Sequence, residues 1–300
     1  MSKPLFSGRL GLEGSRIPHV DRQGLLWLAR GKLSVENGTL HFEAAGSDDI
    51  APGKYAIPYQ TISMILMGPG TAITHDVFRI LARHGTLIAA IGEGGVKYYT
   101  APPMGQGHSE VARAHARLWA DTESRSRVAR HMYGIRFGEL FPDRDIAALR
   151  GMEGGRLRES YRLAAAKYGV TWKRRDYDRS RPESADIPNQ AVNHAATFVE
   201  AAASIAVAAV GALPPLGFIH EDSSVSFVLD VADLWRVETT LPLAFSAAAR
   251  VMENPRLILE REIRLEAARW FRRQKLIPRM ITQVKEIFHV DDNSSNAERE

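Results

Sequence analysis

Residues 101–109 read APPMGQGHS, and the apolar residues on either side of this stretch follow different periods. Before it they alternate or run in short strand-like blocks; after it they recur at helical three- and four-residue spacings. A single change of period, across a segment rich in Pro and Gly, divides a chain into two parts of different class. The expected fold class is α+β in two domains. Residues 1–98 form a small N-terminal β-rich domain with one short helix, residues 99–290 a larger all-α domain, and residues 291–300 (DDNSSNAERE) a disordered polar tail.

The first part carries its own punctuation. Asn37-Gly38 between two strand-like runs signals a hairpin. Residues 55–74 are a further strand-rich stretch interrupted by Gly68-Pro69-Gly70, and residues 74–84 read as a helix with Thr74 as cap and Gly85 after it. A strand pair is expected around Gly92–Gly95; IGEGG fits neither spacing of a phosphate-binding loop. In the second part, helical segments are expected near 109–140, 143–168, 187–210, 241–252, 257–274 and 278–288. Asp186 and Pro188 start the third, and Leu213-Pro214-Pro215 breaks it. Helix is expected again from Asp230.

No unbroken run of about 18 apolar residues is present, so no membrane helix is expected. The chain has no cysteine, which removes disulfides, thiolate metal sites and a thiol nucleophile, and fits a cytoplasmic protein. The net charge of +4 matters less than its distribution. Residues 156–181 hold nine basic and three acidic residues, and residues 261–285 eight basic and two acidic. Tyr161, Tyr168, Trp172, Tyr177, Trp270 and Phe271 are interleaved with these charges. Cations with stacking rings suit a nucleic-acid surface, whereas solvated helix faces have the same charge pattern.

Two motifs point to chemistry. In SVSFVLDVADLWR (224–236) two carboxylates, Asp230 and Asp233, fall in an apolar run, with His220 ten residues before the first. A buried carboxylate needs a partner, a set of donors or a metal. On a helix, Asp230 and Asp233 share a face and suit a hard divalent cation; the alternative makes Asp230 a helix cap and His220 an ordinary loop histidine. In LRGMEGGR (149–156) three glycines within five positions flank Glu153. Each costs a helix interior roughly 1 kcal/mol against Ala, so either they expose Glu153 to a metal and a phosphate or they permit close helix packing.

Taken in order, residues 149–172, 186–220 and 224–236 resemble the CRISPR-associated integrase of spacer acquisition, the Cas-one family, most closely its type I-E branch. The resemblance extends through residues 64–101 and covers most of 20–290. It implies that the helical domain is catalytic and binds Mg²⁺ or Mn²⁺ through Glu153, His220 and Asp233, with Asp230 as an additional acidic residue beside the metal. It implies a DNA endonuclease and integrase that joins the 3′-OH ends of a protospacer duplex to a CRISPR array. Arg236 would stabilise charge on the phosphate in transit. Implied partners are DNA, a second copy in a homodimer and a small Cas-two dimer in a heterohexameric complex, with no membrane. Candidate DNA contacts are Arg79, Lys97, Arg156, Lys173, Arg174, Arg175, Tyr177, Arg269, Arg272 and Arg273. This chain departs from relatives in having Asp233 where several branches have Glu, a short tail, and Glu200 and Arg30 where some have aromatics. The competing readings are a non-catalytic DNA-binding scaffold and a helical metabolic enzyme with a basic surface.

Overall fold

A computed structural model describes residues 3–4, 24–46, 50–100, 109–141, 144–176 and 185–288. The polar tail and Tyr177 lie outside these described residues. The strands are β1 (Lys3–Pro4), β2 (Leu25–Leu28), β3 (Gly31–Glu36), β4 (Thr39–Ala44), β5 (Gly53–Ala56), β6 (Met64–Met67), β7 (Thr71–Ile73), β8 (Leu87–Ile91) and β9 (Tyr98–Thr100), with helix α1 (His75–His84) before β8. The helices that follow are α2 (Ser109–Ala120), α3 (Thr122–Phe137), α4 (Ile146–Lys167), α5 (Ile187–Val210), α6 (Ser226–Leu234), α7 (Leu241–Glu253), α8 (Leu259–Arg273) and α9 (Leu276–Phe288). This is the β-rich part followed by a helical part that the change of period implies.

The strands form two sheets, ordered β1-β5-β4-β3-β7 and β2-β6-β8-β9. Asn37 and Gly38 turn the β3–β4 hairpin with positive φ at both positions, and Glu36 pairs with Thr39. In the second sheet β2, β6 and β8 run parallel. Their near-continuous apolar sequences follow from burial on both faces. Alternation then sorts the side chains: Leu26, Leu28, Ile65 and Ile88 join α1 and the first sheet in one core. Met64, Leu66, Leu87, Ala89 and Ile91 point the other way and share a core with the helices.

That shared core ties the two parts together. The turn after β8 packs directly on α8: a Cβ at Gly94, whose φ is +64°, would stand 2.3 Å from the Cβ of Ala268. Gly94 is therefore required both by its left-handed backbone and by the close approach.

Helix α5 organises the helical lobe, packing against α6, α7, α8 and α9. Asp186 caps it by accepting from Asn189 N at 2.9 Å, and Gly211 ends it in the left-handed conformation. Its buried face is built largely from alanines (191, 195, 202, 203 and 206), which let four neighbours approach one axis. By length and apolarity α5 meets the requirement for crossing a membrane, which counting unbroken apolar runs misses; 61% of that window is buried inside the lobe.

Two local expectations change. The single helix expected over 109–140 is two, because Asp121 stops α2 and caps α3 by accepting from Ser124 N at 2.8 Å. Helix α6 begins at Ser226, four residues before Asp230, so Asp230 is not a cap. Gly94→Val is expected to lower unfolding free energy by about 2–4 kcal/mol, combining overpacking with left-handed strain. Urea titration checks this; an unchanged midpoint would show that the turn is not anchored on α8.

Candidate metal centre

The reason for Asp230 lies in the loop before α6. Its carboxylate is 0% exposed. Oδ2 accepts from Phe218 N at 2.6 Å and Ile219 N at 3.1 Å; Oδ1 accepts from His220 N at 2.9 Å and lies 2.7 Å from His220 Nδ1. The carboxylate satisfies three backbone N–H groups of a tight turn that would otherwise be orphaned, and so meets the requirement for burying it. Gly217 is needed in this turn because a Cβ there would stand 2.1 Å from His220 O.

An ionised carboxylate only accepts, so His220 donates its Nδ1–H to Asp230 and its Nε2 is left facing outward. The same hydrogen bond is the main cause that raises the His220 pKa, against desolvation. His220 Nε2 then lies 3.9 Å from Asp233 Oδ2. Asp230 thus sits behind the histidine, on the Nδ1 side of the ring, while Asp233 lies on the Nε2 side.

Other elements fix the same loop. Trp119 on α2 donates to Gly217 O at 2.9 Å. Arg150 on α4 donates to Ile219 O at 3.1 Å, and Arg125 on α3 pairs with Glu221 at 2.9 Å. His115, also on α2, accepts from Leu213 N at 3.1 Å through Nδ1 and lies 2.6 Å from Leu216 O through Nε2. With Phe218, Phe227 and Phe288 around its ring, burial pushes the His115 pKa down to about 4. It is therefore the neutral Nε2–H tautomer, with both nitrogens used.

Glu153 comes from α4, near Asp233 on α6. Tyr133 on α3 donates to Glu153 Oε2 at 3.2 Å; burial, then the Glu153 charge, pushes the Tyr133 pKa up to about 12, so the phenol keeps its proton. Between the two carboxylates lies Arg136, also on α3. Its Nη1 is 2.6 Å from Glu153 Oε1 and its Nη2 is 2.9 Å from Asp233 Oδ2. Arg236 contacts the other Asp233 oxygen, Oδ1, from the first residue of a π-helical turn, Arg236–Thr240. Glu200, on α5, is held toward its protonated form by burial first and then by Asp233.

Arg136 links Glu153 to Asp233, and His220 Nε2 lies 3.9 Å from Asp233 Oδ2, so three distant segments meet around Asp233. Two carboxylates and a correctly oriented imidazole are the right donors in kind for Mg²⁺ or Mn²⁺. The guanidinium of Arg136 stands between the carboxylates, and among the described residues no three acidic or imidazole groups close around a single metal-sized point. Tyr133 and Arg136 were missed by motif reading. The available signal was Arg136 itself: Ala129, Met132, Tyr133 and Arg136 follow the i, i+3, i+4, i+7 rule of a buried face, and an arginine stands where a hydrophobe belongs.

The glycines around Glu153 are also settled. A Cβ at Gly151, Gly154 or Gly155 would meet nothing within 4 Å, so close helix packing does not explain them. They leave an open helical surface beside Glu153.

The basic stretches divide. Tyr161 stacks on Trp172 at 5.0 Å within the core, and Phe271 is buried; neither offers a free stacking platform, because the helical lobe uses these rings for packing. Arg156 donates to Glu139 at 2.9 Å and lies over Phe137, Arg79 pairs with Asp76 at 3.1 Å, and Lys97 is 3.9 Å from Glu260. Arg175 is bonded to Asn189 and Asn193 at the start of α5. Lys173, Arg174, Arg269, Arg272 and Arg273 are exposed, with Arg273 over the Trp270 ring.

A helical lobe behind a β-rich part is the architecture of the CRISPR-associated Cas1 structures, and the comparisons identify it. No family model matches the chain. It is 35% identical over 272 residues to the CRISPR-associated endonuclease Cas1 of Geobacter sulfurreducens, covering 90% of this chain and 86% of that protein. It is 34% identical over 272 residues to the CRISPR-associated endonuclease Cas1 of Escherichia coli K12, with the same two coverages of 90% and 86%. The crystal structure of a TtCas1–DNA complex superposes with a TM-score of 0.79 at 29% identity, covering 93% of this chain and 100% of that one. A casposase bound to its integration product shares the fold, with a TM-score of 0.60 at 17% identity over 89% of this chain and 95% of that one. The chain belongs to the Cas1 family of CRISPR-associated endonucleases.

His115 generates a pH prediction. Its folded pKa is depressed, so the unfolded chain binds the extra proton first; stability is lost as pH falls from about 6.5 toward 4, by up to about 3 kcal/mol. Measured by urea unfolding, the stability difference between wild type and His115→Gln is expected to shrink across that window. A constant difference would mean that the ring is not held neutral.

Proposed function

We propose that this chain is a metal-dependent DNA integrase and endonuclease of spacer acquisition, acting at the Glu153–His220–Asp233 cluster. The observation that carries this reading is that cluster, with His220 aimed by Asp230. Glu153, Asp233 and His220 would hold Mg²⁺ or Mn²⁺, which when bound would polarise the scissile phosphate. The attacking 3′-OH oxygen forms a bond to phosphorus, and the bond to the old bridging oxygen breaks. The leaving strand departs with a new 3′-OH, so one phosphodiester replaces another.

The chain's own residues shape this step. Asp230 fixes the His220 tautomer, and Tyr133 holds one oxygen of Glu153. Arg236, already at Asp233, offers a cation to a phosphate placed against the cluster. The glycine face leaves room for a sugar–phosphate backbone, and Lys173, Arg174, Arg269, Arg272 and Arg273 supply exposed cations to track it. Surface pairs such as Lys97–Glu260 are worth only about 0–1 kcal/mol, so they yield readily to phosphate. The solved TtCas1 complex with DNA supports DNA as the ligand. A homodimer, a Cas-two partner dimer and a cytoplasmic location belong to the same reading.

Glu153→Ala is expected to abolish metal-supported strand transfer on branched DNA, by more than about 100-fold, while duplex affinity and its steep fall with salt persist. Retained transfer would remove Glu153 from the reaction, and DNA binding without any transfer by the wild type would favour the scaffold reading, in which the carboxylates serve only their arginine partners. Replacing Gly151, Gly154 and Gly155 together by Ala is expected to raise stability by about 2–3 kcal/mol, since no Cβ clashes, while weakening DNA turnover. Full turnover in a stabilised variant would make the open face incidental.

A further inference from the structure

Arg136 is buried, with 6% of its side chain exposed, and it faces the two carboxylates proposed to hold the metal. Its two contacts differ in quality. Nη2 makes a hydrogen bond to Asp233 Oδ2 at 2.9 Å. Nη1 is within ion-pair distance of Glu153 Oε1 but is not aligned for a hydrogen bond. A fixed planar fork satisfies both partners only when both lie in its plane. The guanidinium is therefore seated on Asp233 and only electrostatically attached to Glu153. Asp233 carries a second cation, Arg236, on its other oxygen. The cluster thus has two arginines opposite its two metal-facing carboxylates before any metal arrives.

We infer that Arg136 is a positioning residue that acts as the resident counter-ion of the centre: it keeps Glu153 and Asp233 together in the metal-free protein and makes divalent-ion loading depend on DNA. The inference rests on the proposed metal reading of the cluster. A buried and a partly buried carboxylate sharing one site repel each other and need a cation. Arg136 supplies it from α3, bridging α4 and α6. A divalent ion held by Glu153 and Asp233 would add two positive charges next to a guanidinium that cannot lose its proton. The added repulsion is relieved in two ways: Glu153 turns from Nη1, its weaker contact, and a phosphodiester brings negative charge to the cluster. Metal and DNA should therefore bind cooperatively, each strengthening the other by the same factor. In the absence of DNA the arginine keeps metal affinity low, which restrains cleavage chemistry until a substrate phosphate is in place.

The test is Mn²⁺ titration of the full chain, read by electron paramagnetic resonance, with and without a duplex oligonucleotide, for wild type, Arg136→Gln and Arg136→Lys. Wild type is expected to bind Mn²⁺ at least about tenfold more tightly with DNA present. Arg136→Gln should bind Mn²⁺ more tightly than wild type without DNA, and should lose most of the DNA dependence. Its metal-free melting temperature should fall, and Mn²⁺ should raise it by more than it raises that of the wild type, because the variant binds the ion more tightly. Arg136→Lys keeps the charge without the fork, so it should keep the DNA dependence; it serves if the Gln variant does not fold. Tight Mn²⁺ binding by wild type that is indifferent to DNA, or equal affinity in the Gln variant, overturns the inference and leaves the metal reading intact. If Glu153→Ala leaves the Mn²⁺ signal of the wild type unchanged, the metal reading itself fails.

Discussion

One carboxylate, that of Asp230, makes the rest of the centre possible. It accepts three successive backbone N–H groups and the Nδ1–H of His220 while wholly shielded from water. Charge-assisted hydrogen bonds of this kind are worth about 1.5–3 kcal/mol each, and leaving a buried donor unpaired costs about as much. The loop therefore has one favourable arrangement, and that arrangement decides which imidazole nitrogen faces Asp233. The geometry is set by folding, before any ligand arrives, which is how a site avoids reorganising during reaction.

The fold supports this loop from several directions. Helix α2 reaches it through His115 and Trp119, α3 through Arg125, α4 through Arg150 and α6 through Asp230. The alanine-lined axis of α5 lets α6, α7, α8 and α9 pack closely around it, so α6 is fixed along its length. The β-rich part is also committed to this core. The face of its second sheet that carries Met64, Leu66, Leu87, Ala89 and Ile91 is buried among the helices.

Much of this was legible in the sequence, for identifiable reasons. The change of period near residue 100 is a strong signal, because helix and strand bury different residue spacings. Asn37-Gly38 and Gly85 marked a turn and a helix end through backbone conformations few other residues adopt. Glu153, Asp230 and Asp233 stood out because carboxylates in apolar or glycine-rich surroundings ask for a partner, and the set Glu153, His220 and Asp233 came from the family resemblance. The role of Asp230 was not legible, since its partners are backbone groups of a loop whose shape no spacing rule specifies. Arg136 was missed for a related reason: its partners lie 17 and 97 residues away in sequence, on α4 and α6. Stacking rings in the basic stretches misled because aromatic residues serve cores as readily as nucleic acids, and Tyr161 and Trp172 went to the core.

The orientation of the His220 imidazole tests the central claim most directly. Nitrogen-15 resonances of the ring in metal-free protein, recorded above the raised pKa of this histidine, report which nitrogen carries the proton. A preorganised centre gives protonated Nδ1 and bare Nε2, with that preference lost in Asp230→Ala. A ring protonated at Nε2, or one exchanging freely between the two tautomers in the wild-type chain, would contradict it.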